Sequence, residues 1–272
     1  MIIERIRVIK MSVVIAIKDG DKILMGGDCQ VSYGGNKSTL VSPNLMKVWE
    51  VEGHPNTIMG GVGALRDLNI AYANDEYYDT TRDKLGEELD FKFMVNKVVP
   101  NILNLFTDHG RAVNNNGVVT LNGSSFLFAQ KDKCYMIDTD GCLLDLTYDG
   151  ECIAIGSGST IAQSAYNTLQ DIESLTAEEK LLKALIQACE EDLHVNYPVY
   201  IRDTANPDRI TVFDGVEPVS DGQIILKING NTLKDNDGNT IKYNLTDGCL
   251  NTTLDVIKPA GNVKYHNNIY KW

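Results

Sequence analysis

Hydrophobic and polar positions change period several times along this chain, and each change marks an element. The stretch "KMSVVIAIKDGDKILMGGD" (residues 10–28) carries two short apolar runs joined by Asp19-Gly20-Asp21, a pattern that predicts two strands and a tight turn. "NTIMGGVGALRDLNIAYANDEY" then passes from an apolar strand through a glycine cluster into Leu65, Leu68, Ala71 and Tyr72 at helical spacing. "FKFMVNKVVPNILNLFTDHG" predicts a second helix, with Pro100 as a kink and Gly110 as its stop signal.

The period returns to two in "SSFLFAQ" and "KCYMIDTDG", which flank a Lys131-Asp132 turn, and "ECIAIGSGS" supplies another strand running into glycine. Two further helices follow, "TIAQSAYNTLQDI" and "TAEEKLLKALIQACEEDL", the latter opened by a Thr176/Glu179 capping box. "PVYIRD" and "RITVFDG" close the core, with a turn at Asn206-Pro207-Asp208 between them. Strands, two helices, strands, two helices, strands is not the alternation of a doubly wound sheet. It predicts an α+β fold, a four-layer αββα sandwich of two antiparallel sheets with a helix pair on each outer side. From residue 215 onward the chain is rich in Asn, Gly and Thr, with turn pairs at Asp221-Gly222, Asn229-Gly230, Asp237-Gly238 and Asp247-Gly248. This predicts an appended β-rich extension, 215–272, after a domain spanning 12–214.

Composition narrows the partners. With 272 residues, 43% of them hydrophobic, the chain can bury a large core. A net charge of −12 repels phosphate backbones and anionic surfaces, which speaks against nucleic acid and membrane as partners. No run approaches the ~18 apolar residues of a membrane span, and Glu4 and Arg5 interrupt any signal-like segment, so a cytoplasmic protein is expected. The six cysteines form no CxxC pair and have no nearby histidine at ligand spacing, which indicates neither a zinc site nor a disulfide scaffold. His54, His109, His194 and His266 fall in separate segments without triad or metal spacing, and Asp235–Asn239 lacks the glutamate that would close a calcium loop. No cofactor motif is present.

The candidate chemistry lies in the order of several short matches. "KMSVVIAI…ILMGGD", "NLMKVWEV", "TIMGGVGALRD", "IAIGSGSTIAQSAYNTL" and "LIQACEEDLHVNYP" follow one another as in the proteasome β-type subunits. The chain therefore resembles that family of N-terminal-nucleophile hydrolases, nearest in pattern to its HslV and Anbu branches. The resemblance implies Ser12 as nucleophile, Asp28 and Lys47 as its charged partners, and Ser157 as support for the N-terminal amine. It also implies an oxyanion N–H from Gly60, with Gly61 as the near alternative, and maps the family's second aspartate onto Asp192. Peptide or unfolded-protein substrates, homo-oligomeric rings and an ATP-dependent unfoldase come with the same family.

Several positions depart from the pattern. The nucleophile is serine rather than threonine, Val195 stands where a serine is usual, and ten residues precede Met11. Serine serves this chemistry as threonine does, but the α-amine that acts as base must be free. Residues 1–11 are therefore read as a leader removed before Ser12, as sequence upstream of a true start at Met11, or as a retained block on an inactive shell protein. Ile58 and Met59, just before the glycines, are expected to line a pocket favouring cleavage after apolar residues.

Overall fold

The computed structural model describes residues 12–33, 36–39, 46–74, 78, 89–219, 223–228, 231–232 and 242–244. Residues 1–11, all four late turn pairs, the 235–239 loop, Cys249 and His266 lie outside the described residues. The opening hairpin forms as the pattern requires: β1 (Val13–Asp19) and β2 (Lys22–Asp28) pair antiparallel about Gly20, whose φ of 61° explains a glycine there. A short hairpin of β3 (Gln30–Tyr33) and β4 (Asn36–Thr39) follows, then β5 (Val48–Glu50) and β6 (Thr57–Val62). The helix α1 (Leu65–Tyr72) leaves directly from the glycine-rich end of β6.

The second helical run is a composite of α2 (Phe91–Phe93), a π-helical turn over Met94–Val98, and α3 (Val99–Asp108). Pro100 sits in the first turn of α3, where its missing N–H is not needed by that helix. The irregularity expected at Pro100 is thus taken up one turn earlier, as a widened helix rather than a sharp bend. Gly110, at φ 65°, ends the run as expected. A projecting hairpin of β7 (Val113–Asn115) and β8 (Val118–Thr120) precedes β9 (Ser125–Gln130), β10 (Lys133–Ile137) and β11 (Leu143–Leu146). Then come β12 (Cys152–Gly156), α4 (Ser159–Leu169) and α5 (Ala177–Glu191), the last opened by the Thr176/Glu179 capping box.

One sheet runs β12-β1-β2 and continues through β13 (Val199–Asp203), β14 (Thr211–Val219), β15 (Gln223–Ile228) and β16 (Asn231–Thr232), with β17 (Lys242–Asn244) also on β15. The described strands after residue 215 thereby extend this sheet through antiparallel pairing onto β14. The other sheet runs β11-β10-β9-β6-β5.

Three cores separate four layers. Val13, Ile15 and Ile17 pack on α4 and α5 through Ala162, Tyr166 and Leu185. Val14, Ala16 and Met25 face the second sheet across Ile58, Val62 and Leu127. Beyond that sheet, Phe126 and Phe128 meet α1 and α3 at Leu68, Ile102, Leu105 and Phe106. A strand packed on both faces needs apolar residues at every position, which is why β1 reads as a continuous run and not as an alternation. Gly26 lets the layers approach: a Cβ there would stand 2.6 Å from Leu185 and 2.9 Å from the Tyr200 carbonyl. Among the described residues no helix is long and apolar enough to cross a membrane, and the described cysteines are free thiols.

Candidate active site

Ser12 stands one residue ahead of β1, and three elements close around it. The hairpin register that pairs Val14 with Gly27 carries Asp28, the last residue of β2, opposite Val13. There the Asp28 carboxylate accepts the Val13 N–H at 2.9 Å and, through its second oxygen, the Gln30 N–H at 2.9 Å. Lys47, just before β5, donates its ammonium to Asp28 at 2.8 Å and to the Gln30 carbonyl at 2.6 Å. Both side chains of the pair are withdrawn from solvent, at 3% and 0% exposure. A buried pair of this kind is weak evidence for stability, because desolvation offsets much of its attraction. Its place beside Ser12 is what needs explaining.

From the other side, the turn from β12 into α4 wraps the Ser12 backbone. The Ser12 N–H donates to Ser157 Oγ at 3.2 Å, and the Ser12 carbonyl accepts from the Gly158 N–H at 3.2 Å and from Ser157 Oγ at 3.4 Å. Gly156 sits so close that a Cβ on it would lie 2.1 Å from the Ser12 carbonyl oxygen, and its φ is 101°. The "GSG" motif is therefore glycine, hydroxyl, glycine for three separate reasons: close approach, a hydrogen bond on each side of Ser12, and the N-cap of α4. Val195, buried, packs toward Gly158.

The two glycines proposed for the oxyanion differ in direction. The Gly61 N–H donates to the Lys47 carbonyl at 2.8 Å, so its amide points to the Lys47 edge of β6. Amides alternate along a strand, and this turns the Gly60 N–H the other way, toward its partner Leu127 on β9. Gly60, the better match by pattern, instead has a packing reason: a Cβ there would stand 2.7 Å from both Met25 and Val14. Asp192 is the C-cap of α5 and its carboxylate accepts the His194 N–H at 2.7 Å. The structure thus gathers Ser12, Asp28, Lys47 and Ser157 into one bonded cluster, with Gly61 at its rim and Asp192 engaged locally. Ile58 and Met59 are both 0% exposed, the first between the sheets and the second under the α1 and α3 layer. Neither presents surface to a substrate, which removes the basis for an apolar cleavage preference.

Two participants carry no signal in the sequence. Gln30 enters through its backbone N–H and carbonyl, which any residue type would supply. Cys189 on α5 lies near enough to feel the cluster: burial pushes its thiol well above the ordinary range, and the Asp28 carboxylate pushes it further, which keeps it a neutral thiol. Among the described residues no group of acidic, histidine or cysteine side chains is arranged to hold a metal.

Comparison with known proteins bears on the fold that carries this cluster. BPH of Thiobacillus denitrificans, in complex with Epoxomicin, superposes with a TM-score of 0.52 at 17% identity, over 70% of this chain and 97% of that one. An Anbu (Gly-1) mutant from Hyphomicrobium sp. strain MC1 gives 0.51 at 12%, over 75% and 81%. At these identities the likeness shows the fold. The eukaryotic HslV of Trypanosoma brucei is 22% identical over 70% and 98%, with a TM-score of 0.48. The family model described as "Proteasome subunit" matches residues 10–201, more than half of the chain, and the chain belongs to the proteasome subunit family.

Proposed function

We propose that the protein is a proteasome-like peptidase in which Ser12, once it is the first residue, attacks the peptide carbonyl with its own α-amine as base. One observation carries this reading: side chains from three different elements meet at the Ser12 end of β1, where Ser157 accepts the Ser12 N–H, Asp28 accepts the next N–H at Val13, and Lys47 is bonded to Asp28. A hydroxyl needs a base within hydrogen-bond reach. In the unbroken chain the Ser12 nitrogen is an amide and accepts no proton, so activity requires scission of the Met11–Ser12 bond. The liberated amine has an ordinary pKa of about 7.7–8.0, and lowering it by one unit requires only ~1.4 kcal/mol. The buried Lys47 ammonium disfavours a second positive charge nearby and can supply that, with Asp28 holding it in place.

Ser12 Oγ then passes its proton to the amine and bonds to the substrate carbonyl carbon. The developing oxyanion takes the Gly61 N–H, which faces the Lys47 edge and can serve two acceptors in a three-centre bond. The amine returns the proton to the leaving nitrogen, and water completes hydrolysis of the ester. Ring assembly of this chain, peptide or unfolded-protein substrates and an ATP-driven unfoldase belong to the same reading and rest on the family.

The test is a chain cut to begin at Ser12, assayed on a panel of fluorogenic peptides beside its Ser12→Ala counterpart. Cleavage by the first and none by the second supports the assignment. Equal cleavage by both overturns Ser12 as the nucleophile, and none by either overturns the peptidase reading and leaves an inactive shell protein as the better description.

A further inference from the structure

Asp67 is wholly buried and takes no part in the Ser12 cluster, yet a continuous set of contacts joins the two. It occupies the first turn of α1, whose N-cap residue, Ala64, has no side chain to hold the helix end. The Asp67 carboxylate accepts the Arg111 guanidinium at Nε and, at 3.1 Å, at Nη2, and it accepts Ser124 Oγ at 2.7 Å. Arg111 lies just past α3, and Ser124 just before β9, so one carboxylate ties three segments together.

Ser124 is wedged against the end of β6. A Cβ on Gly63 would come 2.2 Å from Ser124 Oγ, and the φ of 133° at Gly63 admits only glycine. The preceding residue, Val62, pairs with Ser125 and lies 3.3 Å from the position a Cβ would take on Gly156, the glycine that covers the Ser12 carbonyl. One residue further back is Gly61, whose amide faces Lys47. The path from the carboxylate to the reacting atoms therefore runs Asp67, Ser124, Gly63, Val62, Gly61.

We propose that Asp67 is a positioning residue for the oxyanion donor: through Ser124 and the Arg111 clamp it fixes the turn from β6 into α1 and so sets the direction of the Gly61 N–H. This rests on the reading of Ser12 and Gly61 given above. A clamp suits this task because Arg presents a planar fork to both carboxylate oxygens, which restrains orientation as well as distance.

Asp67→Asn and Ser124→Ala, each in the chain beginning at Ser12, test the inference by two readouts: kcat and KM for peptide cleavage, and hydrogen exchange of the backbone amides of residues 60–64. A misplacement of about 1 Å costs up to about a hundredfold in rate, so Asp67→Asn is expected to lower kcat ten- to a hundredfold with KM within about twofold. Ser124→Ala is expected to lower kcat less, and both variants to speed exchange at 60–64 while distant strands keep their protection. A variant that only loosened the whole domain would speed exchange everywhere and lower kcat only in step with the folded fraction, and that result overturns the proposal. Unchanged exchange at 60–64 overturns it as well. Should the parent chain cleave nothing, the peptidase reading fails by itself, and the exchange data still decide whether Asp67 holds the turn. If Asp67→Asn does not fold, Ser124→Ala carries the decision.

Discussion

Asp28 and Asp67 are both wholly buried, and each is paired with a single cation, yet the two regions are built for different work. Around Asp67 the cation is an arginine, locked by two N–H groups onto one carboxylate and still 21% exposed. Around Asp28 it is a lysine, a compact charge at 3% exposure, with two of its three donors spent on Asp28 and the Gln30 carbonyl. A forked cation immobilises what it touches, while a point charge beside a titrating amine changes the free energy of that amine's proton. The first arrangement suits a hinge that must not move, and the second suits a site that must move a proton.

That contrast can be broken by exchanging the pieces. Lys47→Ala leaves Asp28 buried without its cation, which typically costs about 3–5 kcal/mol, and peptide turnover should vanish along with much of the thermal stability. Lys47→Arg keeps the charge but replaces a point with a fork in a closed site, and kcat/KM should still fall by at least about a hundredfold. Arg111→Lys, the reverse exchange, keeps the charge and loses the fork; kcat should fall by no more than about tenfold with KM unchanged. Equal damage from Lys47→Arg and Arg111→Lys would erase the distinction.

The glycines sharpen it further. Gly156→Ala forces a side chain onto the Ser12 carbonyl at a backbone angle of 101°, and should destabilise by more than about 1 kcal/mol in a denaturant titration. The smallest effect is expected at Cys29, buried next to Asp28 but joined to its surroundings through its backbone N–H on Asn196. Cys29→Ala should leave the rate within about twofold, because a buried thiol of this kind packs and does not react.

The parts of the site that could be read in the sequence are those where a side chain does the chemistry and a short pattern carries it. Ser12 and Asp28 are joined by a two-strand register, so counting across one turn brings Asp28 to the Ser12 end of the hairpin. Lys47 and Ser157 sit at the edges of strands with recognisable flanks. Gly60 and Gly61 could not be separated in this way, since the direction of an amide depends on which neighbour the strand pairs with at that step. Ile58 and Met59 look like pocket residues only if one face of β6 is open; with a sheet on one side and helices on the other, both faces are core.

Gln30 contributes backbone, and Asp67 meets a partner 44 residues away, so nothing local announces either. The layer order was legible because each core leaves its own periodicity in the chain. The π-helical turn before Pro100 was not, because a proline states where a helix is disturbed and not how the strain is spread.

The central claim is that the Ser12 amine is the base. Its most direct test is to follow intact N-terminal mass and peptide hydrolysis in the same sample as the Met11–Ser12 bond is cut. Activity should rise from zero in proportion to the fraction of chains beginning with Ser12. Hydrolysis by chains in which that bond is wholly intact, abolished neither by Ser12→Ala nor by Lys47→Ala, would contradict it.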